Sequence, residues 1–257
     1  MSTWDDVARE LDAWAAAGRA AEFWWRDDDA AAPAPALERL LRSQRAGGVP
    51  LMLAVIPAKA TEALVQRLAG EPEVVVVQHG WAHLNHARPG RSKAELGPDR
   101  PPAFVLGELA RGQISLDRLF GPGWLKVLVP PYNRIATAVI GGLAGAGYEG
   151  LSTDRPRRAA TVHGTTQVNV HIDIMDWTAR AFLGDGPCLD QALEHLVAKR
   201  TGRADPDEPT GLLTHHLAHD EPAWPFIERF IAATKAHPAV RWRHPVDLFR
   251  PKMAARP

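Results

Sequence analysis

Three adjacent carboxylates and two histidines are the residues of this chain best suited to chemistry. The run Asp27 to Asp29 follows the aromatic run Phe23 to Trp25, and His79 and His83 come about fifty residues later. Adjacent carboxylates repel one another, so the run needs a cation, a proton or a positive neighbour. Carboxylate oxygens and imidazole nitrogens are ligands for divalent metals. The sequence therefore indicates a metal site in which one aspartate joins both histidines.

The elements that must position these residues alternate between strand and helix. Glu22 to Arg26 and Val74 to Gln78 have the apolar, partly β-branched composition of buried strands, and each runs into a candidate ligand. The spacing of four predicts that His79 and His83 share one face of a helical turn. Further strands are predicted at Val49 to Ile56, Leu125 to Val129, Gly150 to Ser152, Val168 to Ile174 and Gly211 to Thr214. Helices are predicted near Ala36 to Gln44, Thr61 to Leu68, Phe104 to Phe120, Ala136 to Ala146, Pro187 to Lys199 and Trp224 to Ala236.

Polar residues cluster at the carboxyl ends of the predicted strands. They comprise the aspartate run, the histidine pair, Pro130 to Asn133, Asp173 with Asp176 and Trp177, and His215 with His216. In an α/β barrel this is the end at which active sites assemble. The loop from Arg88 to Pro102, which is rich in Gly, Pro and charge, is predicted to be an exposed excursion.

Composition narrows the class of protein. The 46% hydrophobic content and the length fit one domain over residues 1–257, with an N-terminal helix in 1–20 and a barrel in 22–250. Zero net charge argues against a nucleic-acid partner. The single Cys188 excludes an internal disulfide and a multi-cysteine zinc module. No run is apolar enough for a membrane span or a secretory signal, so we expect a cytoplasmic protein without a membrane partner.

Five motifs in order resemble the polysaccharide deacetylase family, carbohydrate esterase family 4, over about residues 22 to 250. They are an Asp-Asp pair, His79-x-x-x-His83, a Pro-Tyr turn at Tyr132, Asp173-x-x-Asp176-Trp177 and Leu213-x-His215. The resemblance implies a divergent member with a distorted (β/α)7 barrel. It also implies one divalent metal, usually zinc, with cobalt or manganese as alternatives. The implied reaction is hydrolysis of an N-acetyl group by metal-activated water.

The resemblance assigns roles to the carboxylates in one of two registers. In the preferred register Asp28 is the general base and Asp29 is the metal ligand beside His79 and His83. In the alternative register the pair shifts to Asp27 and Asp28. Because successive strand residues point to opposite faces, the chain must turn here to bring both carboxylates inward.

The resemblance also implies the acid and the oxyanion donor. His215 is the expected general acid, with His216 as the alternative, and the backbone N–H of Tyr132 is expected to stabilise the oxyanion. Asp173 or Asp176, the latter counted among the catalytic residues, is expected to orient a protonated side chain or to pair with an Arg, although capping of a helix is an alternative for both. The family arginine before the Pro-Tyr turn is replaced here by Val129, so we expect Arg134 or Arg26 to substitute for it.

Four further residues are expected at the substrate. His86 lies beyond the histidine pair and is predicted to contact substrate rather than metal, because a catalytic metal needs an open position. Trp81 lies inside the pair and either walls the site or packs in the core. Asn133 and Trp177 complete this predicted set.

Three functions follow from these residues. The leading one is removal of an N-acetyl or related acyl group from a small-molecule or oligosaccharide substrate. A second is an allantoinase-like amide hydrolase, which uses the same metal-activated water. The third is a non-catalytic carbohydrate-binding barrel, a hypothesis motivated by Val129.

Overall fold

A computed structural model describes residues 1–250 of the chain. Within this range the strands are β1 (Ala21–Ala30), β2 (Leu51–Val55), β3 (Val74–His79), β4 (Trp124–Val129), β5 (Gly150–Leu151), β6 (Thr161–Val162), β7 (Thr165–Gln167), β8 (Ile172–Asp173), β9 (Met175–Asp176), β10 (Ala181–Phe182), β11 (Thr210–Thr214) and β12 (Val240–Trp242). The helices are α1 (Trp4–Ala16), α2 (Pro35–Gly47), α3 (Glu62–Leu68), α4 (Pro102–Phe120), α5 (Thr137–Leu143), α6 (Asp185–Arg200), α7 (Ala223–Lys235) and α8 (Pro245–Phe249). None of the helices among residues 1–250 has the length and hydropathy that crossing a membrane requires.

Seven parallel strand positions form a curled sheet. Strands β5, β4, β3, β2, β1 and β11 lie side by side in that order. The segment 165–173 fills the gap, since β7 pairs with β5, Val170 bridges to Asp154, and β8 pairs with β11. One stretch of chain therefore serves both edges of the sheet, which confirms the predicted distorted (β/α)7 barrel.

The strands bury both of their faces, as parallel barrel strands do. The lumen is filled by a cluster that includes Trp24, Val127 and Val170. Leu248 and Phe249 of α8 belong to the same cluster, and the Phe249 ring meets Trp24 edge-on at 6.3 Å. These contacts close the barrel at the end where the strands begin, so the opposite end is left for the polar residues.

The outer face of β1 packs on helices. Phe23 and Trp25 belong to a second cluster that includes residues of α1, α2, α6 and α7. Helix α1 packs through one stripe of its surface, in which Val7, Leu11 and Trp14 are all buried. Helix α2 ends at the pair Gly47 and Gly48, where Gly48 adopts a left-handed conformation with φ of 56°.

Candidate functional site

A bulge at the end of β1 decides where the three carboxylates point. Alternation along the strand sends Arg26 and Asp28 into the lumen and Asp27 toward the outer layer. The pairing with β2 shifts register between Asp27 and Ala30, and Asp29 has φ of 76°. This left-handed residue breaks the alternation and turns Asp29 toward the histidines. The turn predicted from the sequence is therefore a bulge within the strand.

Asp29, His79 and His83 converge on one point. Asp29 Oδ1 lies 3.1 Å from His79 Nε2 and 3.2 Å from His83 Nε2. Oδ1 is buried and has no hydrogen-bond partner among residues 1–250. A buried carboxylate oxygen without a partner is costly unless a cation lies beside it.

The tautomer of His79 also suits a metal. Its Nδ1 lies 3.0 Å from the carbonyl oxygen of Val129, which can only accept, so Nδ1 carries the proton. In the neutral ring the lone pair of Nε2 is then directed toward Asp29, as a metal ligand requires. Metal-binding histidines are commonly fixed in this way by a backbone carbonyl. Two nitrogens and one oxygen also leave coordination positions open, as catalytic zinc sites do, so these residues fit a divalent metal.

Charge in this group is divided. Burial works to lower the pKa of His79, but Asp28 and Asp29 outweigh it and raise that pKa overall, so a bound metal would have to displace its proton. Burial works to raise the pKa of Asp29, but His79, His215 and His83 outweigh it and lower that pKa overall. Burial lowers the pKa of His83, which favours the neutral imidazole. An ionised carboxylate and a neutral imidazole are the protonation states that metal ligands need.

The predicted helical turn at the histidine pair is wrong. His79 is the last residue of β3, and His83 lies in an irregular loop. Gly80 and His83 both have φ of 56°, so the backbone is left-handed at both positions. These left-handed conformations, rather than helical periodicity, bring the two imidazoles to a ring-centroid separation of 5.2 Å.

Asp28 lies in the lumen and is held by Arg26. Arg26 Nη2 donates to Asp28 Oδ2 at 3.1 Å, and Nε lies 3.0 Å from Oδ1. The guanidinium also donates to Ser152 Oγ at 2.8 Å and to Asn133 Oδ1 at 2.6 Å. Arg26 thus lies beside Asp28, where the apolar Val129 could not pair with a carboxylate. It is one of the two residues predicted to substitute for the family arginine. The other, Arg134, is exposed and donates to the Lys93 carbonyl.

His215 faces Asp28 from the position just after the end of β11. Its Nε2 lies 3.8 Å from Asp28 Oδ2, and its ring meets Trp177 edge-on at 4.5 Å. Trp177 Nε1 donates to Asp173 Oδ2 at 2.8 Å, which ties Asp173 to the same side of the site. Burial raises the pKa of Asp173, and His215 and Trp177 partly oppose this shift.

Asp176 is placed differently from its predicted catalytic role. Its Oδ1 accepts the N–H groups of Thr178 and Ala179 at 2.8 and 3.0 Å, so it caps the turn between β9 and β10. Among residues 1–250 it has no hydrogen bond or ion pair to the converging side chains. Asp176 therefore has the predicted capping role, although it caps a turn and not a helix. Asp173 is the aspartate that lies on the side of His215.

Asp27 and His216 form a separate pair outside the lumen. His216 Nδ1 lies 2.5 Å from Asp27 Oδ1, and Asp27 Oδ2 accepts the His216 N–H and the Thr214 hydroxyl. Burial opposes ionisation of both, yet each partner stabilises the charge of the other, which lowers the pKa of Asp27 and raises that of His216. The geometry therefore favours the register in which Asp28 and Asp29 serve the site.

The remaining predicted residues flank the centre. The Tyr132 ring lies 4.6 Å from the His83 ring, and Tyr132 has φ of 62° in a tight turn. Asn133, predicted to contact substrate, uses its Oδ1 to hold Arg26. Trp81 is partly exposed rather than a core residue, and His86 is exposed, with its N–H donating to the Ala94 carbonyl.

Sequence reasoning missed Glu95. It lies in the segment predicted to be exposed, yet residues 94–97 are buried and Glu95 is 0% exposed. Its carboxylate accepts the N–H groups of Trp81, Ala82 and Leu84. The one available signal was Ala94 to Leu96, a short apolar interruption around a single acidic residue.

A second cluster also brings one carboxylate and two imidazoles together, but one of its histidines has the wrong tautomer for binding a metal. His171 Nε2 and His195 Nε2 lie 3.3 and 3.9 Å from Glu208 Oε2. Here the Gly211 N–H donates to His171 Nδ1 at 3.0 Å, so the proton of the neutral ring is on Nε2. Burial lowers the pKa of His171 well below its ordinary value and keeps the ring neutral. In the neutral rings the lone pair of His171 therefore lies on Nδ1, away from Glu208, whereas that of His79 lies on Nε2, toward Asp29.

Comparison with solved structures identifies the architecture. A family 4 carbohydrate esterase from Streptomyces lividans, in complex with acetate, aligns with a TM-score of 0.56 at 16% identity over 86% of this chain and 90% of that one. The fold is that of carbohydrate esterase family 4. A Mycobacterium smegmatis protein assigned to the polysaccharide deacetylases aligns with a TM-score of 0.64 at 17% identity, over 87% of this chain and 86% of that one.

A third similar structure contains a metal. The family 4 acetyl xylan esterase from Clostridium thermocellum, in complex with a cobalt ion, aligns with a TM-score of 0.56 at 13% identity over 89% of this chain and 90% of that one. No family model matches this sequence, and no curated protein matches it. The likeness therefore lies in the fold, and the chain is divergent in sequence, as predicted.

Proposed function

We propose that this chain is a metal-dependent hydrolase that removes an N-acetyl or related acyl group from a sugar or sugar-like substrate. The observation that carries the proposal is the buried, unpartnered Oδ1 of Asp29 between two imidazole nitrogens, with Asp28 beside it. The esterase and deacetylase folds that align with the chain support the same reaction class. Zinc is the proposed metal, with cobalt or manganese as alternatives.

Asp29, His79 and His83 would hold the metal. When bound, a divalent cation lowers the pKa of a water molecule and polarises the acyl carbonyl. Asp28 takes the proton from the attacking water. Its Oδ2 accepts from Arg26, whereas Oδ1 is buried without a hydrogen-bond partner among residues 1–250 and so has lone pairs free for the proton.

His215 protonates the leaving amine. Its Nε2 is 3.8 Å from Asp28 Oδ2, so the proposed acid and base are direct neighbours in the site. The partly exposed ring of Trp177 packs on His215 and limits its rotation. The backbone N–H of Tyr132, beside His83, is the proposed oxyanion donor.

Release of acetate tests the proposal. Zinc-loaded protein is incubated with N-acetylglucosamine, its small conjugates and its oligosaccharides, and acetate and free amine are quantified. We expect release that chelation abolishes and that the Asp28→Asn variant lacks. Turnover of allantoin without deacetylation would favour the amide hydrolase. Binding of oligosaccharide by metal-loaded protein without any turnover would favour the non-catalytic barrel.

A further inference from the structure

The loop that presents His83 has little regular structure of its own to hold it. Between His79 and His86 its backbone hydrogen bonds to the rest of the chain include Gly80 N–H to the Val129 carbonyl, Ala58 N–H to the Trp81 carbonyl, and the contact of His86 with Ala94. The successive N–H groups of Trp81 and Ala82, with that of Leu84, converge on one side. Such a concave array of donors, flanked by left-handed residues, is an anion-binding nest.

The anion in this nest is the side chain of Glu95. Oε1 lies 2.7 Å from the Ala82 nitrogen and 3.4 Å from that of Leu84, and Oε2 lies 3.1 Å from that of Trp81. The fit is tight: a Cβ at Gly80 would lie 2.0 Å from Oε2 and 2.6 Å from Pro131 Cδ. Glycine is thus required at position 80 both for its positive φ and for the approach of the carboxylate.

Glu95 is itself anchored to the structure that carries Tyr132. Leu96 pairs with Ile135, and the Ala136 N–H donates to the Leu96 carbonyl at 2.8 Å. The carboxylate therefore links the His83 loop to the turn at Tyr132, whose ring contacts His83. His83 is held on one side by this ring and along its backbone by Glu95.

We propose that Glu95 is the positioning residue of the metal centre, because it sets the backbone conformation from which His83 reaches the ligand position. This inference assumes the metal site of the proposed function. Loss of groups that orient metal ligands typically weakens metal affinity about 10- to 100-fold. We expect a loss of that size when the Glu95 carboxylate is replaced.

The test measures metal rather than turnover. Zinc affinity is determined by chelator competition, and the absorption spectrum of the cobalt-loaded protein is recorded, for the wild type, Glu95→Gln, Glu95→Asp and Glu71→Gln. Glu71 is the matched control, because it is buried and paired with Arg45 and Arg67 but lies before β3, at the end of the strand away from His79.

We expect Glu95→Gln, which places an amide donor against backbone N–H groups, to lose about 10- to 100-fold in affinity and to alter the cobalt spectrum. Glu95→Asp should recover part of the loss, and Glu71→Gln should bind as the wild type does. Wild-type affinity and spectrum in folded Glu95→Gln would overturn this inference alone. A wild type that binds no metal would instead overturn the proposed function. If Glu95→Gln does not fold, the inference is judged on Glu95→Ala, which removes the carboxylate, and unchanged affinity and spectrum in that variant overturn it.

Discussion

Arg26 and Asp28 lie two residues apart on the lumen face of β1, and the guanidinium of Arg26 pairs with the carboxylate of Asp28. Nη2 donates to Oδ2 at 3.1 Å, Nε lies 3.0 Å from Oδ1, and both side chains are almost fully buried. Strand pleating places the proposed base beside its counter-ion. Hydrogen bonds from the guanidinium to Ser152 and Asn133 then hold Arg26 in position.

Breaking this pair should cost both stability and turnover. The Arg26→Met variant leaves Asp28 buried without a counter-charge, so we expect a loss of about 3–5 kcal/mol in the free energy of unfolding. The measurement is denaturant unfolding beside the acetate assay. The double variant Arg26→Met with Asp28→Asn removes the stranded charge and should regain part of the stability but no activity. Unchanged stability and turnover in Arg26→Met would contradict the role of the pair.

Asp28→Asn should separate chemistry from metal binding. The amide keeps the shape of the side chain but cannot take a proton, so turnover should fall by about 10² to 10⁴-fold. Metal content, measured by elemental analysis, should be unchanged. Asp27→Asn is the comparison, and it should mainly lower stability because it breaks the pair with His216. The reverse pattern, in which Asp27→Asn abolishes turnover and Asp28→Asn does not, would restore the alternative register.

His79→Ala should abolish stoichiometric zinc binding, because it removes the nitrogen that the Val129 carbonyl orients toward Asp29. His195→Ala is the matched control from the second cluster and should keep one zinc per chain, since the tautomer of His171 leaves no ligand set there. Elemental analysis after dialysis measures the zinc content of both variants. Two zinc ions in the wild type, with one lost in His195→Ala, would refute the tautomer argument.

The buried amine of Lys199, which is remote from the site, should make the free energy of unfolding depend on pH. Burial lowers its pKa from about 10.5 to about 8. Because the folded pKa lies below the unfolded one, the native state binds fewer protons between these values, and the free energy of unfolding should rise with pH across that window. Lys199→Met should gain about 2–3 kcal/mol at pH 7. This gain should shrink toward pH 10 in denaturant titrations, and a gain independent of pH would count against the assignment.

Much of the fold could be predicted from the sequence because its strands are buried on both faces. Val74 to Gln78 and Leu125 to Val129 are apolar runs bounded by polar residues, and both are strands as predicted. The segment 165–173 was harder, since only its second half was predicted as strand. Its two halves pair with different neighbours, and local composition carries no trace of such a division.

The candidate site could be predicted in its residue types but not in its geometry. His79 and His83 were predicted together, but their meeting depends on left-handed backbone at Gly80 and His83, and a spacing of four equally fits a helix. Glu95 was missed because its role is to accept backbone N–H groups. Those donors belong to any sequence, so nothing at positions 81 to 84 identifies their acceptor.

The bulge at Asp29 makes the site sensitive to the number of residues in β1 as well as to their kinds. One residue inserted or deleted between Trp24 and Asp28 would exchange the two faces of the strand beyond it. Asp28, which is now paired with Arg26, would then point at the outer helices. Asp27, the partner of His216, would enter the lumen. Variation in chain length should therefore be tolerated in the surface loops but eliminated here, even where every functional side chain is retained.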